Sequence, residues 1–310
     1  MRKWVVTIII LLAIVLLFYR MAPGKMSIHQ NLMVAVNPKA FAREMLNEKN
    51  WNEWWPGKQM RSSPGFEYKD NSYRVIEKKL TSFVIEVSNG KESITTELIY
   101  IPVRNDSVQL NWVAEQKSGL SPFKRIRSFR WSKNLESDLH ILLEKMNSFY
   151  SNEDNIYGLH VEKSLVADSN YVFTSLASKT YPSMQTVYGL VDKLKNFITI
   201  NKAQSLGYPM LNVHKNGDSS YLVKVALPVD KQLKDAGDIQ YRWMLKGGNI
   251  LVTEIKGGPS KIEKAFTEMR NYVEDHQRIA PAIPFQSLVT DRREEPDTNK
   301  WITKLYWPVM

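Results

Sequence analysis

A chain of 310 residues with 43% hydrophobic content is too apolar to be disordered and long enough for two domains, each with its own core. Having no cysteine, it can hold no disulfide, zinc–thiolate site or thiol nucleophile. The net charge of +10 divides unevenly, with 22 Lys and Arg against 14 Asp and Glu in residues 1–150 and 20 against 18 in residues 151–310, so the basic half is the N-terminal one.

The first element is an apolar run, Trp4 to Tyr19, broken only by Thr7 and flanked by Arg2, Lys3 and Arg20. As a helix it spans about 24 Å, slightly short of a hydrocarbon core of about 30 Å, with Trp4 and Tyr19 suited to the two interfaces. The residues after Tyr19 lack a small-x-small cleavage site. Residues 1–25 therefore read as a transmembrane anchor and linker, single-pass, with the N-terminus cytoplasmic and the rest of the chain extracytoplasmic. A cleaved signal peptide and a buried core helix are the alternatives.

Met26 to Val36 reads as a strand, and Asn37-Pro38 supplies a cap and first-turn proline for a helix to about Leu46. Strand-like runs follow at 73–79, 82–88, 95–101 and 107–115, separated by Asn89-Gly90 and Asn105-Asp106. The run Lys124-Arg125-Ile126-Arg127-Ser128-Phe129-Arg130 alternates cation and apolar residue like a half-exposed strand. It is either a solvated face or a cationic lip that meets anionic membrane lipid or an acidic ligand head group. From Ser132 to Tyr150, Leu135, Leu139, Leu142, Leu143, Met146 and Phe149 fall at helical spacing. One long helix across a curved antiparallel sheet is a helix-grip arrangement, often with a cavity between the layers.

Asn50-Trp51-Asn52-Glu53-Trp54-Trp55-Pro56 lies about fifteen residues beyond the first strand. With this stretch, residues 26–151 resemble the START-like or SRPBCC superfamily, also called polyketide cyclase-like. Trp51, Trp54 and Trp55 then either line a pocket mouth as ligand-binding residues or plug the sheet against the helices.

Asn152–Asp154 is short and polar, and a domain boundary is expected there. Beyond it lies a repeat: Tyr221–Val229 aligns with Trp301–Val309 at an offset of 80 residues, sharing Lys224 with Lys304, Pro228 with Pro308 and Val229 with Val309. Pro182-Ser183 superposes on Pro259-Ser260 at an offset of 77, each opening an amphipathic helix, about 183–200 and 260–278. Each copy reads strand, helix, strand, strand, with strands at 171–180, 210–215 and 221–229, then 249–256, 285–291 and 301–309. With Leu206-Gly207-Tyr208-Pro209 and the terminal Leu305–Val309, residues 155–310 resemble the GyrI-like domain, the effector-binding domain of AraC-type and MerR-type regulators. The expected fold class is thus α+β: a helix-grip antiparallel sheet domain followed by a duplicated β-α-β-β domain, with an N-terminal transmembrane helix.

Alternation places Tyr221, Val223, Val225 and Leu227 toward the helices, and Leu222, Lys224 and Ala226 on the other face with Ile302, Lys304 and Tyr306. Such a mixture suits a ligand site or a solvent-facing sheet. The GyrI-like resemblance implies a pocket glutamate two residues before a tyrosine. Gln286 stands at the glutamate position and Leu288 at the tyrosine position, which removes a countercharge for cations; Glu254 is a substitute. The histidines His29, His140, His160, His214 and His276 show no metal-ligand spacing, and no nucleophile elbow, phosphate loop or dinucleotide fingerprint occurs. No metal, cofactor or nucleic-acid partner is expected. The chain reads as a non-enzymatic, membrane-anchored binder or sensor of a small apolar or amphiphilic ligand. A hydrolase or cyclase using either cavity, and a scaffold with filled cavities, are the alternatives.

Overall fold

The computed structural model describes residues 25–310 except 62–63, 118–120, 168–169 and 218–219, together with Trp4, Thr7, Ile9, Ile10 and Ala13. The apolar run expected to be a membrane helix otherwise lies outside the described residues, and among those described no helix is long and apolar enough to cross a membrane. The chain forms two compact units, residues 1–156 and 157–310, both α+β.

The first unit is a seven-stranded antiparallel sheet in the order β1-β7-β6-β5-β4-β3-β2. Its strands are β1 (Lys25–Val34), β2 (Lys58–Gln59), β3 (Phe66–Tyr68), β4 (Asn71–Lys78), β5 (Ser82–Ser88), β6 (Ser93–Arg104) and β7 (Ser107–Lys117). Helix α1 (Pro38–Leu46) starts where the sequence places it, because the Asn37 side chain accepts from the backbone N–H of Lys39 at 2.9 Å and of Ala40 at 3.3 Å. The 3-10 turn Glu48–Glu53 then presents Trp51 to the interior.

The long helix α2 spans Pro122–Tyr150, ten residues more than the apolar spacing indicates. The basic run 124–130 is therefore its first two turns and not a strand. Ser121-Pro122 supplies the start, and Ser128 and Trp131 are buried on the sheet side. Leu135, Leu139, Leu142, Leu143 and Met146 continue that buried face. A polar network fixes the helix along its length. Asp138 accepts from Lys69 at 2.5 Å and from Asn71 at 3.3 Å, Trp131 donates to Asn71 at 2.9 Å, and Ser128 donates to Glu92 at 2.7 Å.

Helix α3 (Glu153–Tyr157) occupies the stretch read as a polar boundary. The second unit is an eight-stranded antiparallel sheet in the order β12-β9-β11-β10-β14-β15-β13-β8. One run comprises β9 (Asn170–Ser178), α4 (Met184–Ile200), β10 (Met210–Asn216) and β11 (Ser220–Pro228); the other comprises β13 (Asn249–Lys256), α5 (Pro259–Asp275), β14 (Phe285–Leu288) and β15 (Ile302–Pro308). The runs meet where β10 pairs with β14, so the sheet order reads the same from either edge. Two strands absent from the sequence reading, β8 (Glu162–Leu165) and β12 (Gln240–Trp243), add one edge each, on β13 and β9. Ser183 caps α4 by accepting from the N–H of Thr186 at 3.1 Å. Helix α4 covers a core of Val172, Val223, Val225 and Leu227, and α5 covers Ile255 and Leu305.

Candidate functional site

In an antiparallel pair, residues directly opposite each other share a face. The register therefore sorts every strand residue of the second sheet once the helix-covered face is known. Phe173 pairs with Ala226, Ala226 with Met210, Met210 with Ser287, Ser287 with Lys304 and Lys304 with Glu254. This row runs straight across six strands at about 4.8 Å per strand, on the face turned away from α4 and α5. A second row on the same face holds Ser175, Lys224 and Asn212 on one side and Phe285, Tyr306 and Val252 on the other. Between them, Asn212 donates to the carbonyl of Pro284 at 2.8 Å.

The uncovered face thus brings together four of the residues expected there, Lys224, Ala226, Lys304 and Tyr306, and adds Glu254, whose facing the sequence leaves open. Strand register adds Phe173, Met210, Phe285 and Ser287, which alternation within the repeat alone does not identify. Tyr306 stacks on Phe285 with ring centroids 5.1 Å apart and planes at 13°. Across the sheet, Tyr171 and Phe173 lie 6.4 Å apart, and the Arg242 guanidinium sits 5.7 Å from the Phe173 ring. Burial raises the Tyr171 hydroxyl above its ordinary pKa, against a smaller opposing effect of Arg242. These aromatics are only half-buried, although neither helix covers them. Lys304 is balanced by Glu254 at 3.6 Å, whereas Lys224 has no carboxylate partner among the described residues. The face therefore joins a flat aromatic surface to an unbalanced cation.

Gln286 and Leu288 do not join this face. Gln286 pairs with Leu211 and Leu305, and Leu288 pairs with Thr303, all on the helix side. Gln286 is buried there and accepts from Arg292 at 3.1 Å, and the same guanidinium donates to Thr303 at 3.1 Å and lies 4.7 Å from the Trp301 ring. Desolvation lowers the Arg292 pKa, and the hydrogen bonds and ring hold the buried cation. Gln286 thus belongs to the internal framework. Its neighbours Phe285, half-buried, and Ser287, 7% exposed, take the opposite face.

In the first unit Trp51, Trp54 and Trp55 are brought together but turned inward, exposed by only 1%, 5% and 6%. Trp51 lies 5.7 Å from both Phe66 and Phe83, and Trp55 lies 5.1 Å from Tyr73. Trp51 donates to the Met45 carbonyl at 3.0 Å and Trp55 to the Glu67 carbonyl at 2.9 Å. The loop closes tightly behind them, since a Cβ on Gly57 would meet the Glu67 carbonyl oxygen at 1.7 Å. The rings fill the space between sheet and helices. A cleft of about 200 Å³ lies elsewhere, between the start of β1 and α2, where Lys25, Met26 and Ser27 face Phe129, Ser132 and Lys133.

No protein-family model matches the sequence, and no curated protein matches it. Among solved structures, the C-terminal domain of EcmrR superposes with a TM-score of 0.40 at 14% identity, over 49% of this chain and 98% of that one. SAV2435 bound to tetraphenylphosphonium superposes with a TM-score of 0.34 at 15% identity, over 49% and 94%. The di-domain ARO/CYC BexL from the BE-7585A biosynthetic pathway superposes with a TM-score of 0.32 at 11% identity, over 92% and 85%. At these scores and identities, no property of the three transfers to this chain.

Proposed function

We propose that this chain binds a small apolar ligand, neutral or anionic, on the uncovered face of its second sheet. The observation that carries this reading is the stacked Phe285–Tyr306 pair, half-buried and turned away from both helices, on the same face as the unbalanced Lys224. Flat aromatic surface with a few polar groups is the composition of small-molecule sites. A free amine beside it favours a ligand that is not cationic. The two strand–helix–strand–strand runs that meet at β10 and β14 support a duplicated, GyrI-like effector-binding domain over residues 155–310. The sheet and long helix over 26–151 support a START-like fold whose interior the tryptophans occupy. The run Trp4–Tyr19 supports a membrane tether, with both domains outside the cytoplasm.

Calorimetric titration of the purified chain with an aryl sulfonate and with tetraphenylphosphonium tests the reading. The anion is expected to bind saturably and more tightly. Tyr306→Ala weakens it about tenfold, the equivalent of about 1.4 kcal/mol of lost stacking and burial, and Lys224→Glu reverses the preference. Preferred binding of the cation by the unaltered chain, or indifference to Tyr306→Ala, refutes it.

A further inference from the structure

The first two turns of α2 carry a feature that small-molecule binding does not use. Between Gln116 and Leu135 the sequence has six cations, Lys117, Lys124, Arg125, Arg127, Arg130 and Lys133, and no carboxylate. Because this stretch from Pro122 onward is helix, its residues separate by face. Ser128, Trp131, Ser132 and Leu135 turn inward and are buried. Phe123, Ile126, Arg127 and Arg130 stand at i, i+3, i+4 and i+7 and form one outward stripe. Phe123 is 78% exposed at its start. Arg127 and Arg130 are exposed with no ion-pair partner among the described residues, while Lys124, with the buried Ser128 and Trp131 at i+4 and i+7, lies off the stripe.

From this stripe we propose that α2 docks on an anionic phospholipid surface, with Phe123 and Ile126 entering the interface and Arg127 and Arg130 meeting phosphate groups. Apolar side chains and cations on one helical stripe can reach the same plane at once, which is how amphipathic helices lie on membranes. An acidic protein surface would satisfy the cations but leave Phe123 without a purpose.

The position of the stripe in the unit points the same way. Lys25 opens β1 and pairs with Lys117, and the first residues of β1 line a cleft with Phe129, Ser132 and Lys133 of α2. The stripe therefore lies at the end of the sheet where residue 24 joins. Arg20 to Gly24 span at most about 18 Å, so a bilayer holding Trp4–Tyr19 would be within reach. Docking itself does not require that run.

The lack of cysteine makes the test direct. Full-length Phe123→Cys, in which the label takes the place of the ring, and Asp106→Cys, each carrying an environment-sensitive fluorophore, are added to brominated phosphatidylcholine vesicles with and without phosphatidylglycerol. Position 106 sits in the β6–β7 turn, at the other end of β7 from Lys117. Quenching is expected at 123 and not at 106, only with phosphatidylglycerol, and is mostly lost at about 1 M salt, where the Debye length falls to about 3 Å. Arg127→Glu with Arg130→Glu abolishes it; both residues are exposed, and circular dichroism verifies the fold. Equal quenching at the two positions, quenching in neutral vesicles, or indifference to charge reversal overturns the proposal. So does shielding at 123 that grows with protein concentration without lipid, which assigns the stripe to a second copy of the chain.

Discussion

Replacing Trp51 with alanine separates a tryptophan that fills the first unit from one that lines a ligand pocket. Trp51 is 1% exposed, and its ring lies 5.6 Å from Trp54, 6.4 Å from Trp55 and 5.7 Å from both Phe66 and Phe83. A tryptophan buries about 200 Å², which at about 25 cal/mol per Å² is about 5 kcal/mol. Partial collapse around the void brings the usual cost of such truncations to about 3–5 kcal/mol. The Met45 carbonyl also loses its indole donor at 3.0 Å, adding about 1 kcal/mol. The total, about 4–6 kcal/mol, is comparable with the whole stability of a small domain. Trp51→Phe keeps much of the packing and loses the hydrogen bond, and about 2 kcal/mol is expected. Urea unfolding followed by pulse proteolysis reads both variants, and the melting temperature falls by about 10–15 °C in the alanine variant. A loss below about 1 kcal/mol, or unchanged stability with weakened binding of an apolar ligand, would show that the rings line an open pocket.

Gln286→Glu places a carboxylate beside Arg292 on the helix side, where the amide now accepts at 3.1 Å. The expected outcome is an internal ion pair that changes unfolding stability and leaves affinity for tetraphenylphosphonium within about twofold; a clear gain in cation affinity would put residue 286 on the ligand face. Ser82→Ala tests an electrostatic detail of the first sheet, because hydrogen bonds from Ser82 and then Lys79 hold the Glu97 carboxyl below its ordinary pKa of 4.5. A folded-state pKa below the unfolded one stabilises above about pH 4.5 and is lost as pH falls through the folded value. The substitution is expected to raise the Glu97 titration midpoint in a carboxylate NMR experiment, and an unmoved midpoint would assign the shift to Lys79 alone.

Much of the local structure is legible without coordinates, because its causes lie a few residues apart. Asn37 and Ser183 cap helices through their own side chains, so the starts of α1 and α4 follow from the residue and its position. Strands β5 and β13 coincide with their expected spans for a similar reason, each being a short β-rich run between turn signals. The alternating patterns of β11 and β15 also separate the helix face from the face carrying Lys224, Ala226, Lys304 and Tyr306. The start of α2 carries no side-chain cap, since Ser121 makes no capping hydrogen bond, and the period-two look of the following basic run reads as a strand. Only burial of Ser128 and Trp131 against residues some 36 to 60 positions away decides for helix.

Facing and filling belong to the tertiary structure. Gln286 turns inward because β14 pairs with β10 and β15 in a register that sets it between Leu211 and Leu305. A slip of one residue would turn it outward, and nothing within the four residues of β14 fixes that choice. The three tryptophans become a plug because Phe66, Tyr73 and Phe83 arrive from other strands to close the space around them. Most helices and strands, and the two faces of β11 and β15, can be read from the residues themselves, since these depend on periodicity and capping. Which aromatic groups share the uncovered face, and which are spent on the core, was decided by strand register and long-range packing.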